Sequence, residues 1–85
     1  MINRYFQVNR RDMVYLKFIL EAYEGMSVMS TVDNATGIIR IAIMPGFEDD
    51  MYALLVELGT RVTMEPVKWE DLLDKQKGAY YLLSY

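Results

Sequence analysis

Apolar and polar residues alternate over residues 4–8, with Phe6 and Val8 on one side and Tyr5 and Gln7 on the other, which predicts an opening β-strand. Asn9 ends the alternation and is a good N-cap, and Asp12 three positions on can complete a variant capping box. A helix is therefore expected over residues 10–24, with Gly25 in the left-handed position that closes it. Within it Lys17, Glu21 and Glu24 form a narrow polar stripe, and Met13, Leu16, Phe18, Ile19, Leu20, Ala22 and Tyr23 surround the rest. Such a helix is expected to be covered on more than one side.

Residues 27–32 and 38–44 are β-prone and joined by Asp33, Asn34, Ala35, Thr36 and Gly37, a loop whose Asp, Asn and Gly suit a hairpin. Ile39, Ile41 and Ile43 alternate with Ile38, Arg40, Ala42 and Met44, so the isoleucine side is expected to face the helices. Pro45 and Gly46 interrupt the pattern, and residues 47–58 place Met51, Leu54, Leu55 and Leu58 at helical core spacing before Gly59. A fourth strand is expected over residues 61–65, ended by Pro66. Residues 68–77 read as a short amphipathic helix carrying Trp69, and residues 79–85, with Tyr80 and Tyr81, have no charged side chain. That tail is expected to pair with a sheet edge or cover a sheet face, in this chain or a neighbour.

Strand, helix, strand, strand, helix, strand is the ferredoxin-like split β-α-β order. The expected fold is an α+β sandwich over residues 1–67, a four-stranded antiparallel sheet with two helices on one face, with residues 68–85 packed on the same domain or a neighbour. Right-handed crossovers are expected to set the first and third strands side by side and parallel. Both helices would then start at one end of the sheet, bringing Arg10 and Arg11 beside Glu48, Asp49 and Asp50. Two arginines in a first helical turn oppose the helix dipole. The neighbouring acids are expected to compensate them through surface ion pairs; the alternative is an anion-binding site built on Arg10 and Arg11.

Composition changes this picture in three ways. With 53% hydrophobic residues in 85, the chain has more apolar side chains than one small monomer buries, so a dimer or a protein partner is expected. The exposed sheet face, read as Tyr5, Gln7, Met29, Thr31, Ile38, Arg40, Ala42 and Thr63, is the candidate interface, together with Trp69, Tyr80 and Tyr81. If the second strand has the opposite phase, Val28 and Ser30 replace Met29 and Thr31. Cysteine and histidine are both absent, which excludes disulfides, thiolate nucleophiles, Cys/His zinc sites and imidazole catalysis. A net charge of −3 provides no field for phosphate backbones or anionic lipid. No apolar run reaches the ~20 residues of a membrane span, and the N-terminus lacks a signal-peptide pattern, so a cytoplasmic location is expected.

Candidate chemistry is sparse: no residue set forms a catalytic motif, and no cofactor is expected. Glu48, Asp49 and Asp50 point in different directions on a helix, so no metal site is expected either. RNA-recognition domains share this element order, but Gly37, Ile38, Ile39, Arg40, Ile41, Ala42 and Ile43 hold no stacking aromatic where those domains need one. The stretch from Arg10, Arg11 and Asp12 through Tyr23, Glu24 and Gly25, followed by the hairpin, resembles a family of short bacterial proteins defined only as a domain of unknown function. That resemblance covers about residues 4–65, implies a bacterial protein, and transfers no site residue. A topological similarity to ACT-type regulatory domains implies pairing through sheets and binding of small metabolites. Those domains favour a glycine at the turn into the first helix, where this chain has Asn9, Arg10, Arg11 and Asp12. The expected function is a non-enzymatic binding or regulatory module that self-associates or docks on a protein; the alternative is a small-anion sensor or enzyme using Arg10 and Arg11, with RNA binding ranked third.

Overall fold

The computed structural model describes residues 1–68. The short helix and tail expected beyond them, with Trp69, Tyr80 and Tyr81, lie outside the described residues. Strand β1 (Ile2–Val8) leads through a 3₁₀ turn (Arg10–Asp12) into helix α1 (Met13–Ala22). The hairpin β2 (Ser27–Asp33) and β3 (Ile38–Ile43) follows, then helix α2 (Glu48–Gly59) and strand β4 (Met64–Val67). The sheet order is β2-β3-β1-β4 with every neighbouring pair antiparallel, the ferredoxin-like arrangement.

The central pair corrects one expectation. β1 and β3 are neighbours but antiparallel, with Ile2 opposite Ile43 and Gln7 opposite Ile38. Each crossover returns the chain parallel to the strand it left but one strand further over, and the central partner fills the gap between them. The end of β1 therefore lies beside the start of β3, and α1 and α2 begin at opposite ends of the sheet. Arg10 and Arg11 are consequently remote from Glu48, Asp49 and Asp50.

The phase of each strand follows from the partners. Ile39, Ile41 and Ile43 join Val8, Met13, Leu16, Leu20, Met51, Leu54, Leu58 and Val62 in one core between sheet and helices. Ile2, Phe6, Met26, Met29 and Met64 pack against its margins. Because Met29 pairs with Ile41, it points inward, and the outer face of β2 carries Val28 and Ser30 opposite Ala42 and Arg40. The first assignment of Met29 to the exposed face is thus corrected to the opposite phase. A register irregularity between Thr31 and Asp33 leads β2 into the loop.

Several element ends also differ from the pattern. Asn9 and Asp12 make no side-chain cap; the Asp12 N–H donates to the Asn9 carbonyl at 2.9 Å, so the first turn is 3₁₀ and α1 proper starts at Met13. α1 buries Met13, Leu16 and Leu20 along one side, and Val14 and Phe18 are exposed, so the helix is covered on one side rather than several. α2 is entered from Gly46 (φ 90°), whose N–H donates to a Glu48 carboxylate oxygen at 2.9 Å. Its acids also complement the positive end of the helix. At its other end the N–H groups of Thr60, Arg61 and Val62 donate to the Glu57 and Leu58 carbonyls, which carries the chain past Gly59 and delays β4 to Met64. Pro66 lies within β4, where an edge strand tolerates a missing N–H.

Gly37 is the tightest point of the hairpin. It adopts φ 76°, its N–H donates to the Asp33 carbonyl at 3.0 Å, and its own carbonyl accepts from Val8 N–H at 2.8 Å. A Cβ there would collide with the Val8 carbonyl oxygen, whereas one at Gly25 (φ 80°) would meet nothing within 4 Å. Gly25→Ala is expected to lose about 1 kcal/mol for left-handed backbone alone, and Gly37→Ala at least about 2 kcal/mol more, because backbone must move. Urea unfolding of both variants measures the difference.

Candidate functional site

The 3₁₀ turn places Arg10 and Arg11 at the mouth of a groove between the start of α1 and the edge strand β2. Lys17, two helical turns further along, reaches the same groove because α1 turns that side toward β2. Asn34 closes one end from the hairpin loop, and Met13, Val14, Met29 and Thr31 form the remaining walls. The open groove has a volume of about 500 Å³, and among the described residues no acidic side chain lines it. It therefore combines three exposed cations with a largely apolar wall, on the flank of the core helix.

Charge balance distinguishes these cations from the others. Between described residues the one ion pair joins Arg61 to Glu57 at 2.9 Å, an i,i+4 contact. Tyr15 foremost, as a hydrogen-bond partner and then electrostatically, and Glu57 after it, hold the Arg61 guanidinium above its already high ordinary value. That site serves to fasten the end of α2 near the start of α1. Arg4 is likewise engaged, donating to the Tyr52 hydroxyl at 3.0 Å with its guanidinium 5.5 Å from the ring centre. Arg10, Arg11 and Lys17 have no carboxylate among the described residues within 4 Å. The compensation expected from Glu48, Asp49 and Asp50 is prevented by the antiparallel centre of the sheet.

Other hollows are less suited to recognition. One beside α2 is lined by Arg4, Phe6, Tyr52, Leu55, Val56 and Pro66, and its single cation is occupied by Tyr52. Another, at the end of the sheet, is lined by Gln7, Asn9, Thr36 and Glu65 among others, and Gln7 already donates to the Thr36 carbonyl at 3.1 Å. Among the described residues, no three acidic side chains converge as metal ligands, and no helix is long and apolar enough to cross a membrane.

The sheet face away from the helices holds Tyr5, Ile38, Arg40 and Ala42, as the alternation of β1 and β3 predicts. Tyr5 is half-buried and Arg40 exposed, its guanidinium 3.4 Å from the Ser30 hydroxyl. Ile38 and Ala42 keep only 2% and 7% of their surface exposed, so they present little free apolar area. Met29 belongs to the groove and the core margin instead. The sequence pattern does not mark Lys17 or Asn34 as lining a groove. Lys17 reads as half of a solvated pair with Glu21 when only helical spacing is considered, and no pattern in a single chain announces that β2 lies beside it.

A ferredoxin-like α+β domain with a cationic groove on the α1 and β2 edge is the class of protein defined by these features. The chain belongs to the family described as a domain of unknown function, DUF4911, whose pattern matches residues 6–62. No curated protein and no solved structure matches it significantly. The matched span contains the 3₁₀ turn, α1 and the hairpin, hence every residue of the groove.

Like charges brought together without a counter-ion cost stability. The double variant Arg10→Ala with Lys17→Ala is expected to fold normally and to be as stable as the parent or more so, by up to about 0.5 kcal/mol in ligand-free buffer. Chemical denaturation at low ionic strength checks this.

Proposed function

We propose that this domain is a non-enzymatic binding module that takes a small amphipathic organic anion in the groove between α1 and β2. The observation that carries this reading is the grouping of Arg10, Arg11 and Lys17 around a mainly apolar wall, with no ion pair to any of them among the described residues. Guanidinium pairs suit a carboxylate or phosphate through paired N–H donors, and Lys17 adds a point charge. Met13, Met29 and Val14 offer adaptable apolar contact for the body of the ligand. Asn34 provides donors and an acceptor for a polar substituent. A ligand there bridges the first helix and an edge strand, so its binding energy adds to the stability of the whole domain.

The open shape favours affinity in the micromolar to millimolar range, since a groove desolvates its ligand less completely than a closed cavity. Such affinity suits a sensor that follows metabolite concentration. Absence of histidine and cysteine from the sequence leaves the groove without the usual proton-transfer and nucleophilic groups, which supports binding rather than turnover.

Thermal-shift and calorimetric titration with octanoate, phenyl phosphate and inorganic phosphate, each against a neutral isostere where one exists, tests the proposal. The amphipathic anions are expected to stabilise the protein and the neutral isosteres to have no effect. Arg10→Ala with Lys17→Ala is expected to weaken binding about tenfold or more, by loss of two charge-assisted contacts. Equal responses to charged and neutral compounds, or an unchanged response in the double variant, would overturn it.

A further inference from the structure

The outward side of α1 carries a stripe that the core does not explain and that meets the groove only at Arg11 and Val14. Arg11, Val14, Phe18 and Glu21 follow at offsets of three, four and three, the spacing that keeps residues on one side of a helix. Met13, Leu16 and Leu20 occupy the opposite side and enter the core. Val14 and Phe18 remain 79% and 70% exposed, adjacent to one another, and are flanked by a cation at one end and an anion at the other. Neither Arg11 nor Glu21 has an ion pair between described residues.

We propose that this stripe is a homodimer contact in which α1 packs antiparallel against α1 of a second copy of the chain. The charge order selects the occupant. A two-fold axis midway between Val14 and Phe18 sets each Val14 against the other copy's Phe18 and each Arg11 against the other copy's Glu21. Every member of the stripe then meets a complementary residue, the self-complementarity that an isologous interface requires. Parallel packing would instead oppose Arg11 to Arg11 and Glu21 to Glu21, so the ends of the stripe also specify direction. Offsets of three and four fit the shallow crossing of about 20° at which such helices interdigitate.

A ten-residue helix is about 15 Å long, and a contact along it buries less than a standard interface. The dimer is therefore a concentration-dependent equilibrium rather than an obligate assembly. This places self-association on the helix layer and leaves the outer sheet face uninvolved. Arg11 also borders the groove, and Arg10 and Lys17 remain there when Arg11 turns to the second copy; the dimer contact does not rest on ligand binding.

Sedimentation equilibrium of the full chain, from about 10 µM to 1 mM, tests the contact through charge exchange. The parent is expected to shift from monomer to dimer across that range. Arg11→Glu and Glu21→Arg are each expected to weaken association about tenfold, since each converts both pairs of the dimer to like charges. The double variant Arg11→Glu with Glu21→Arg is expected to regain the parent's association. Phe18→Asp, at an exposed position, is expected to fold and remain monomeric. A parent that stays monomeric at the highest concentration overturns the proposal. So does a dimer indifferent to Phe18→Asp, or a double exchange no better than the single ones.

Discussion

Six residue pairs between β1 and β3, from Ile2 opposite Ile43 to Gln7 opposite Ile38, set the geometry of everything around them. Their antiparallel sense puts Phe6 with Ile39 on the helix side and Tyr5 with Arg40 on the other, so one pairing decides which half of each strand becomes core. It also sends the two helices off from opposite ends of the sheet. A hydrophobic core needs only that both helices lie on the isoleucine face. Where the helix starts lie, and which charges they bring together, comes from strand direction alone.

That constraint explains why a basic turn forms no ion pair among the described residues. α2 begins with three acids at its own end, where they complement its dipole and one of them caps Gly46. α1 begins with two arginines at the far end, where Lys17 adds a third cation and the nearest surfaces are Met29, Thr31 and Asn34. The chain thus separates its acidic and basic helix starts by the length of the sheet. An arrangement optimised for stability alone would mix them.

α1 and the turn before it carry three partly shared surfaces, because helical offsets of three and four set their residues on different sides. Met13, Leu16 and Leu20 anchor it; Arg10, Lys17 and Val14 border the groove; Arg11, Val14, Phe18 and Glu21 face outward. A small domain has little interior, so most of its apolar excess must be placed at such surfaces. Among the described residues the exposed excess includes Val14 and Phe18 on α1, Val56 on α2 and Val28 on the sheet face, where Ile38 and Ala42 are buried.

Much of this was legible in the residues themselves. The alternation of Phe6 and Val8, the three isoleucines of β3, the core spacing of Met51, Leu54 and Leu58, and the Asp33 to Gly37 loop determined the elements, their order and the inward face of the centre of the sheet. These are local properties, set by period, by turn chemistry and by which side chains water expels. The phase of β2, by contrast, was open, because its polar and apolar residues are evenly shared between faces until Met29 is paired with Ile41. The delayed start of β4 followed from hydrogen bonds at the end of α2. Above all, the separation of Arg10, Arg11 and Lys17 from Glu48, Asp49 and Asp50 became visible only with the strand directions. Pairing acts between residues more than thirty positions apart, and a linear pattern holds no record of which way two distant strands will run past one another.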